Sequence, residues 1–149
     1  PDPAAAVGKQ VGKFISQHFP EGTLIATNSA GAVAYFAPNH DFIDMLGLND
    51  KVIAKRTDVP LRTHWQQFPG HSKGDGRYVL SRDPDYIILG PAEGMMANST
   101  LEKSPDVVWF LSDQELSDDP DFHKRYVLKT AELSDTLTLT YYQRRPRNK

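Results

Sequence analysis

Thr23-Leu24-Ile25-Ala26-Thr27-Asn28-Ser29-Ala30-Gly31-Ala32-Val33-Ala34-Tyr35-Phe36 changes its period partway along. The first five residues are apolar or β-forming and are bounded by Gly22 and Asn28, which predicts a buried strand over 23–27. Asn28-Ser29 then offers a helix N-cap, and Ala30 to Phe36 read as helix until Pro38. Phe42 to Leu46 repeat the strand signature and close on Gly47, after which Asn49 or Asp50 caps a short helix through Arg56. Strand–helix–strand–helix is the pattern of a parallel sheet joined by crossovers.

Upstream, Val7, Val11, Phe14, Ile15 and His18 share one face at 3.6 residues per turn, so residues 4–19 form an amphipathic helix stopped by Pro20 and Gly22. Downstream, Thr57–Phe68 is mixed and broken by Pro60, and Asp75–Ser81 fits one or two helical turns. Tyr86-Ile87-Ile88-Leu89 is a third buried strand, ended by Gly90 and Pro91. Asp106–Leu111, with Trp109 and Phe110, reads as another strand. Five of the nine residues from Asp113 to Asp121 are acidic, which reads as a solvated loop or helix start. Lys124–Leu133 and Thr136–Gln143 are strand-like, and Ser134-Asp135 between them suits a tight turn. The expected fold is one α/β domain over residues 1–149. It is a three-layer-like mixed sheet with a parallel N-terminal half, helical crossovers and a C-terminal antiparallel hairpin. Residues 1–3 and 144–149, including the basic Arg144, Arg145, Arg147 and Lys149, are expected to be flexible ends.

A chain of 149 residues buries roughly 70% of its unfolded surface and needs no staple. The net charge is −2, which argues against a nucleic-acid partner. There is no cysteine, which excludes disulfides, Cys-ligated zinc, iron–sulfur clusters and thiol nucleophiles. No apolar run reaches 18 residues, and no signal peptide is expected within these residues. The first residue is Pro1 and not Met, so an upstream anchor or targeting signal is compatible with the sequence.

Asn28-Ser29-Ala30-Gly31 lies between a strand and a helix, where backbone N–H groups attract anions, and Asp44 stands where dinucleotide folds hold a ribose hydroxyl. The glycines of the G-x-G-x-x-G fingerprint are missing. Gly70-His71-Ser72-Lys73-Gly74-Asp75-Gly76-Arg77 surrounds three donors with glycines, a composition suited to a phosphate or a sugar, although it is no Walker A loop. Trp65 and Phe68 are candidates for stacking on a sugar ring. Among His18, His40, His64, His71 and His123 no H-E-x-x-H occurs, and the nearest mixed set is His40, Asp41 and Asp44, so no metal is expected. G-x-S-x-G is absent around Ser29, so a serine hydrolase is not expected.

Five stretches in order carry a resemblance: residues 27–36, residues 41–50, Pro69-Gly70-His71-Ser72-Lys73, Tyr78-Val79-Leu80-Ser81-Arg82, and Pro84-Asp85-Tyr86-Ile87-Ile88. Over about residues 20–90 the chain resembles the C-terminal soluble domain of bacterial multi-pass membrane glycosyltransferases of the GT-C type, the arabinofuranosyl- and mannosyltransferase-like proteins. The resemblance implies a non-catalytic domain on the extracytoplasmic (periplasmic) face of the cytoplasmic membrane, joined to the transmembrane part of the same polypeptide. It would assist acceptor-glycan binding in cell-envelope assembly. It also implies that the catalytic carboxylate and the polyprenyl-phosphate sugar donor site lie elsewhere in the parent protein. The fragment itself would then be inactive, monomeric and without a cofactor. Carried over by position, the candidate ligand-binding residues are Asn28, Gly31, Tyr35, Asp44, His71, Lys73, Arg82 and Asp85, with Gly47 beside them. Ser72 stands where an acidic residue is common in that group, so no charge pair is implied there. From the residues alone, Gly47 equally serves a positive-φ turn, Asp44 pairs with either Arg82 or backbone amides, and Asp85 caps the approach to the third strand. The alternative function is a free-standing nucleotide- or phosphate-binding α/β protein.

Overall fold

In the computed structural model, which describes residues 2–94 and 108–148, Ile25, Ala26, Ile87 and Ile88 are buried at the centre of a five-stranded sheet. Strand β1 (Leu24–Thr27) is flanked in parallel by β2 (Asp41–Asp44) and β3 (Tyr86–Ile88). The hairpin β4 (Tyr126–Ser134) and β5 (Leu137–Arg144) adds to β3 antiparallel, giving the order β2-β1-β3-β5-β4. β1 and β3 are apolar runs because a parallel strand under helices is buried on both faces.

Alternation along those strands divides the core. Ile25, Tyr86 and Ile88 face α1 (Pro3–His18) and α2 (Ala30–Tyr35), where Val11, Ile15, Phe19 and Val33 meet them. Ala26, Ile43, Ile87 and Leu89 face the opposite layer. That layer is built from α3 (Lys51–Lys55), α4 (Gly76–Ser81), α5 (Leu111–Ser117) and α6 (Pro120–Arg125), which supply Ile53, Val79, Leu80, Leu116 and Phe122. The expected three-layer mixed sheet, with parallel crossovers and a terminal hairpin, is therefore the observed fold.

Local chemistry sets the element ends. Pro3 opens α1, and the Asp2 carboxylate accepts from Ala4 N at 3.0 Å. Asp50 caps α3 by accepting from Val52 N and Ile53 N. Gly12 lets α1 lie directly on α2, since a Cβ there would stand 2.5 Å from Val33 O and 2.8 Å from the Phe36 Cβ.

One expectation needs correction. Of the strand expected over Asp106–Leu111, Asp106 and Val107 lie outside the described residues, Val108–Phe110 form no strand, and Leu111 begins α5. Asp113 at the third helical position turns back to accept from Phe110 N at 3.0 Å, and this half of a capping box starts a helix where an apolar run suggested a strand. Of the two readings of the acidic stretch, the helix start is the observed one, although one of its carboxylates is not solvated. The stretch forms α5 and α6, and Asp113 is completely buried. Arg144 and Arg147 of the C-terminal segment are hydrogen-bonded to the loop before β3. Asp83, at φ 49°, accepts from Arg125, Arg144 and Arg147 at 3.2, 2.7 and 2.8 Å.

Candidate functional site

β1 leads to β2 on one side, while β3 lies on the other. The carboxyl ends of β1 and β3 therefore form a topological switch point, the place where open α/β sheets accept ligands. Here the chain fills that place with its own side chains. Asn28 follows β1 and is buried. Its Nδ2 donates to Gly90 O at 3.1 Å and to Asp113 Oδ1 at 2.8 Å. Asp113 Oδ2 accepts from Gly90 N and Phe110 N, each at 3.0 Å. Burial pushes the Asp113 carboxyl up to about 6, against the opposing effect of bonds from Asn28, Phe110, Gly90 and Trp109. Asn28 Oδ1 is buried and has no partner.

The neighbouring residues of α5 bind the other loops. Ser112 Oγ donates to Met45 O at 3.2 Å and accepts from Asp75 N at 2.9 Å. Glu115 takes Arg56 Nη1 at 2.8 Å and Gly76 N at 3.2 Å. Gly74 and Gly76 pack so closely on Ser112 and Glu115 that a Cβ at either would clash. The glycine-rich 70–76 segment is thus clamped to α5.

Above this clamp lies an aromatic cluster. Trp65 and Trp109 stack at 4.5 Å between centroids, 4° from parallel, and Phe68 lies 5.5 Å from Trp65. His71 stacks on Phe110 at 5.4 Å, and His64 meets Phe68 edge-on at 5.7 Å. Both tryptophans and His71 are half-buried, while His64 and Phe68 are exposed. Beside the cluster is a shallow cleft of about 210 Å³, lined by Val59, Pro60, Leu61, Gln66, Ser72 and Lys73. Gln66 holds its shape, since Nε2 donates to Pro60 O and Ser72 O while Oε1 accepts from Arg62 N and Thr63 N.

The candidates named from the sequence do not converge on one place. Asn28 joins Asp113 at the switch point, and His71 joins the aromatic cluster, where its Nδ1 also donates to Pro69 O. Lys73 lines the cleft, but its ammonium donates to Ala54 O and Arg56 O at 2.6 and 2.9 Å. Asp44 binds the amides of Leu46 and Asn49 at 3.0 and 2.7 Å, which resolves its two alternatives in favour of the backbone. Gly47 has φ 77° and packs on Ile53, a turn that a side chain would strain. Gly31 is open to solvent, and Tyr35 is 78% exposed at the end of α2. Arg82 and Asp85 stand at the amino end of β3, away from the others. Arg82 donates to Tyr78 Oη, and Asp85 accepts from Leu24 N at 2.8 Å. Within the His40, Asp41, Asp44 set, His40 Nε2 is bound to Phe19 O, and no group of three His or acidic side chains among the described residues is placed to hold a metal.

Asp113, Ser112, Glu115 and Trp109 were not singled out by sequence reasoning. The available signal was Asp113 three residues after an apolar Phe110, half of a capping-box pattern. The family model described as Domain of unknown function (DUF8728) matches residues 3–145, and the chain belongs to that family. No curated protein and no solved structure matches it.

Proposed function

We propose that this member of the DUF8728 family is a non-catalytic, glycan-binding domain of an extracytoplasmic membrane glycosyltransferase, and that its aromatic cluster carries the binding. The observation behind this reading is the partly exposed Trp65–Trp109 stack, extended by Phe68 and His64 and set beside a cleft lined by Ser72. Aromatic rings offer flat apolar area to the C–H face of a sugar, while neighbouring polar groups orient its hydroxyls. The ordered motifs over residues 20–90 support the same assignment. The phosphate-binding alternative has less behind it, because Lys73 and both amides at 75 and 76 are already bonded within the protein.

The chain contains two tryptophans, Trp65 and Trp109, so tryptophan fluorescence, excited selectively over the tyrosines, reports on this cluster alone. Titration with short arabinan and mannan oligosaccharides is expected to shift that emission saturably, and Phe68→Ala is expected to weaken the response about tenfold or more, as loss of a stacking ring does. An emission unchanged by every oligosaccharide up to millimolar concentration would refute the proposal.

A further inference from the structure

Every hydrogen bond that reaches the buried carboxyl of Asp113 comes from a donor. Asn28 Nδ2 donates to Oδ1 at 2.8 Å, Gly90 N and Phe110 N donate to Oδ2 at 3.0 Å each, and Trp109 adds a backbone bond. A carboxylate accepts all of these, whereas a protonated carboxyl carries an O–H that needs an acceptor. Backbone N–H groups cannot change role. The Asn28 side chain can, because an amide that turns over presents its oxygen where its nitrogen stood. That oxygen, Asn28 Oδ1, is buried beside the carboxyl and has no partner. An orphaned acceptor in a closed polar junction is explained by a second state that uses it.

We infer that Asn28 and Asp113 form a proton-operated latch at the carboxyl ends of β1 and β3. When Asp113 takes up a proton from the solvent on Oδ1, the Asn28 amide turns over, its Oδ1 accepts the new O–H, and its Nδ2 leaves Gly90 O. One O–H bond forms, and no other covalent bond changes. With Asp113 charged, Asn28 holds Gly90 directly through its carbonyl and also through Asp113, which accepts from Gly90 N. With Asp113 neutral, only the second route remains, so the turn after β3 is tied less firmly to β1. Burial holds this carboxyl up to about 6, which brings both states within mild acidification.

No neighbouring charge fixes either state. The ionisable groups on the elements packed around the junction are Asp44, His71, Asp75, Glu93 and Glu115 with Arg56, and none of them bonds Asp113. Asp44 is held by the amides of Leu46 and Asn49, His71 by Pro69 O, Asp75 by Tyr78 N, and Glu115 by Arg56 and Gly76 N. The latch involves none of the rings of the aromatic cluster, so it goes beyond glycan binding and stands without it.

Carbon and nitrogen NMR of the full chain between about pH 4 and about pH 8 tests the latch, since this range brackets the carboxyl's midpoint. The Asp113 carboxyl carbon and the Asn28 Nδ2 signals are expected to move together with one midpoint, and the contacts from the Nδ2 protons to Gly90 are expected to be lost on the acid side. Asp113→Asn presents an amide in place of the protonated carboxyl, so Asn28 is expected to keep its acid-side signals at every pH. Three results overturn the inference: a carboxyl that titrates while the Asn28 amide stays in place, a carboxyl that does not titrate in the folded protein, or an Asp113→Asn protein in which Asn28 Nδ2 remains against Gly90. The first two are read from the wild type alone, so the test survives a variant that does not fold.

Discussion

Replacing Asp113 with Asn removes the titration of the switch-point carboxyl while keeping its size. Part of the effect is independent of pH. Asp113 Oδ2 accepts two backbone amides and Oδ1 accepts from Asn28, so the new amide nitrogen faces the Asn28 Nδ2 donor. Asn28 relieves this by turning its unpartnered Oδ1 inward, at the loss of its bond to Gly90 O. One broken buried bond costs about 1–3 kcal/mol. The rest depends on pH. The carboxyl moves from its ordinary 3.8 to about 6 on folding because burial disfavours the charge. Folded Asp113 therefore holds its proton over a range where the unfolded chain has released it. Its contribution to stability is complete below about pH 4 and is lost as pH rises through about 6. A displacement of this size corresponds to roughly 3 kcal/mol. Urea midpoints of wild type and Asp113→Asn, compared between about pH 4 and pH 7, are expected to show the wild-type advantage shrinking by that amount as pH rises. An advantage constant across this range would mean that the carboxyl titrates elsewhere, and the argument from burial would fail.

Tyr126 is buried and its hydroxyl donates to Pro84 O at 2.6 Å, so Tyr126→Phe is expected to cost about 1–2 kcal/mol in urea unfolding by leaving that carbonyl unpaired. Asp83 sits at φ 49° beneath three arginines, and the bonds from Arg147 and Arg144 outweigh burial to hold its carboxyl below the ordinary value. Asp83→Ala is expected to lower the melting temperature more than Asp83→Asn, because Asn tolerates the left-handed backbone and Ala does not. Equal losses would show that the backbone conformation contributes nothing. In the α1–α2 contact, Gly12→Ala is expected to destabilise by about 2 kcal/mol or more through overpacking, while Gly31→Ala, in open space on α2, is neutral or gains up to about 1 kcal/mol.

The elements that sequence periodicity resolved are those whose cause is local. The α1 stripe through Val7, Val11, Phe14 and Ile15, the apolar β1 and β3, and the alternation of β5 each bury a face that the pattern itself marks. The site was less legible because its determinants are distant. The half capping box at Phe110 marks Asp113 as a helix-start residue, but nothing local tells that it alone, and not Asp118 or Asp121, meets Asn28 and Gly90 and is buried. Lys73 and Asp85 have the composition of ligand-binding residues, but carbonyls of Ala54 and Arg56 and the amide of Leu24 claim them. Trp109 lies in an apolar run that resembles a strand, and its stacking on Trp65 depends on a partner from another part of the chain.

The Asn28–Asp113 bond spans 85 positions in the chain, and Gly90 is reached from both of its ends. No local segment can form that junction. β1 and β3 must first lie side by side, and the loop between them must already be closed, before α5 has a seat. Docking of α5 is therefore a late event on the way to the native state, one that locks an assembled sheet and does not nucleate it. Mutations at Asp113 should consequently hasten unfolding while leaving the refolding rate nearly untouched, so that the junction governs how long the folded domain survives.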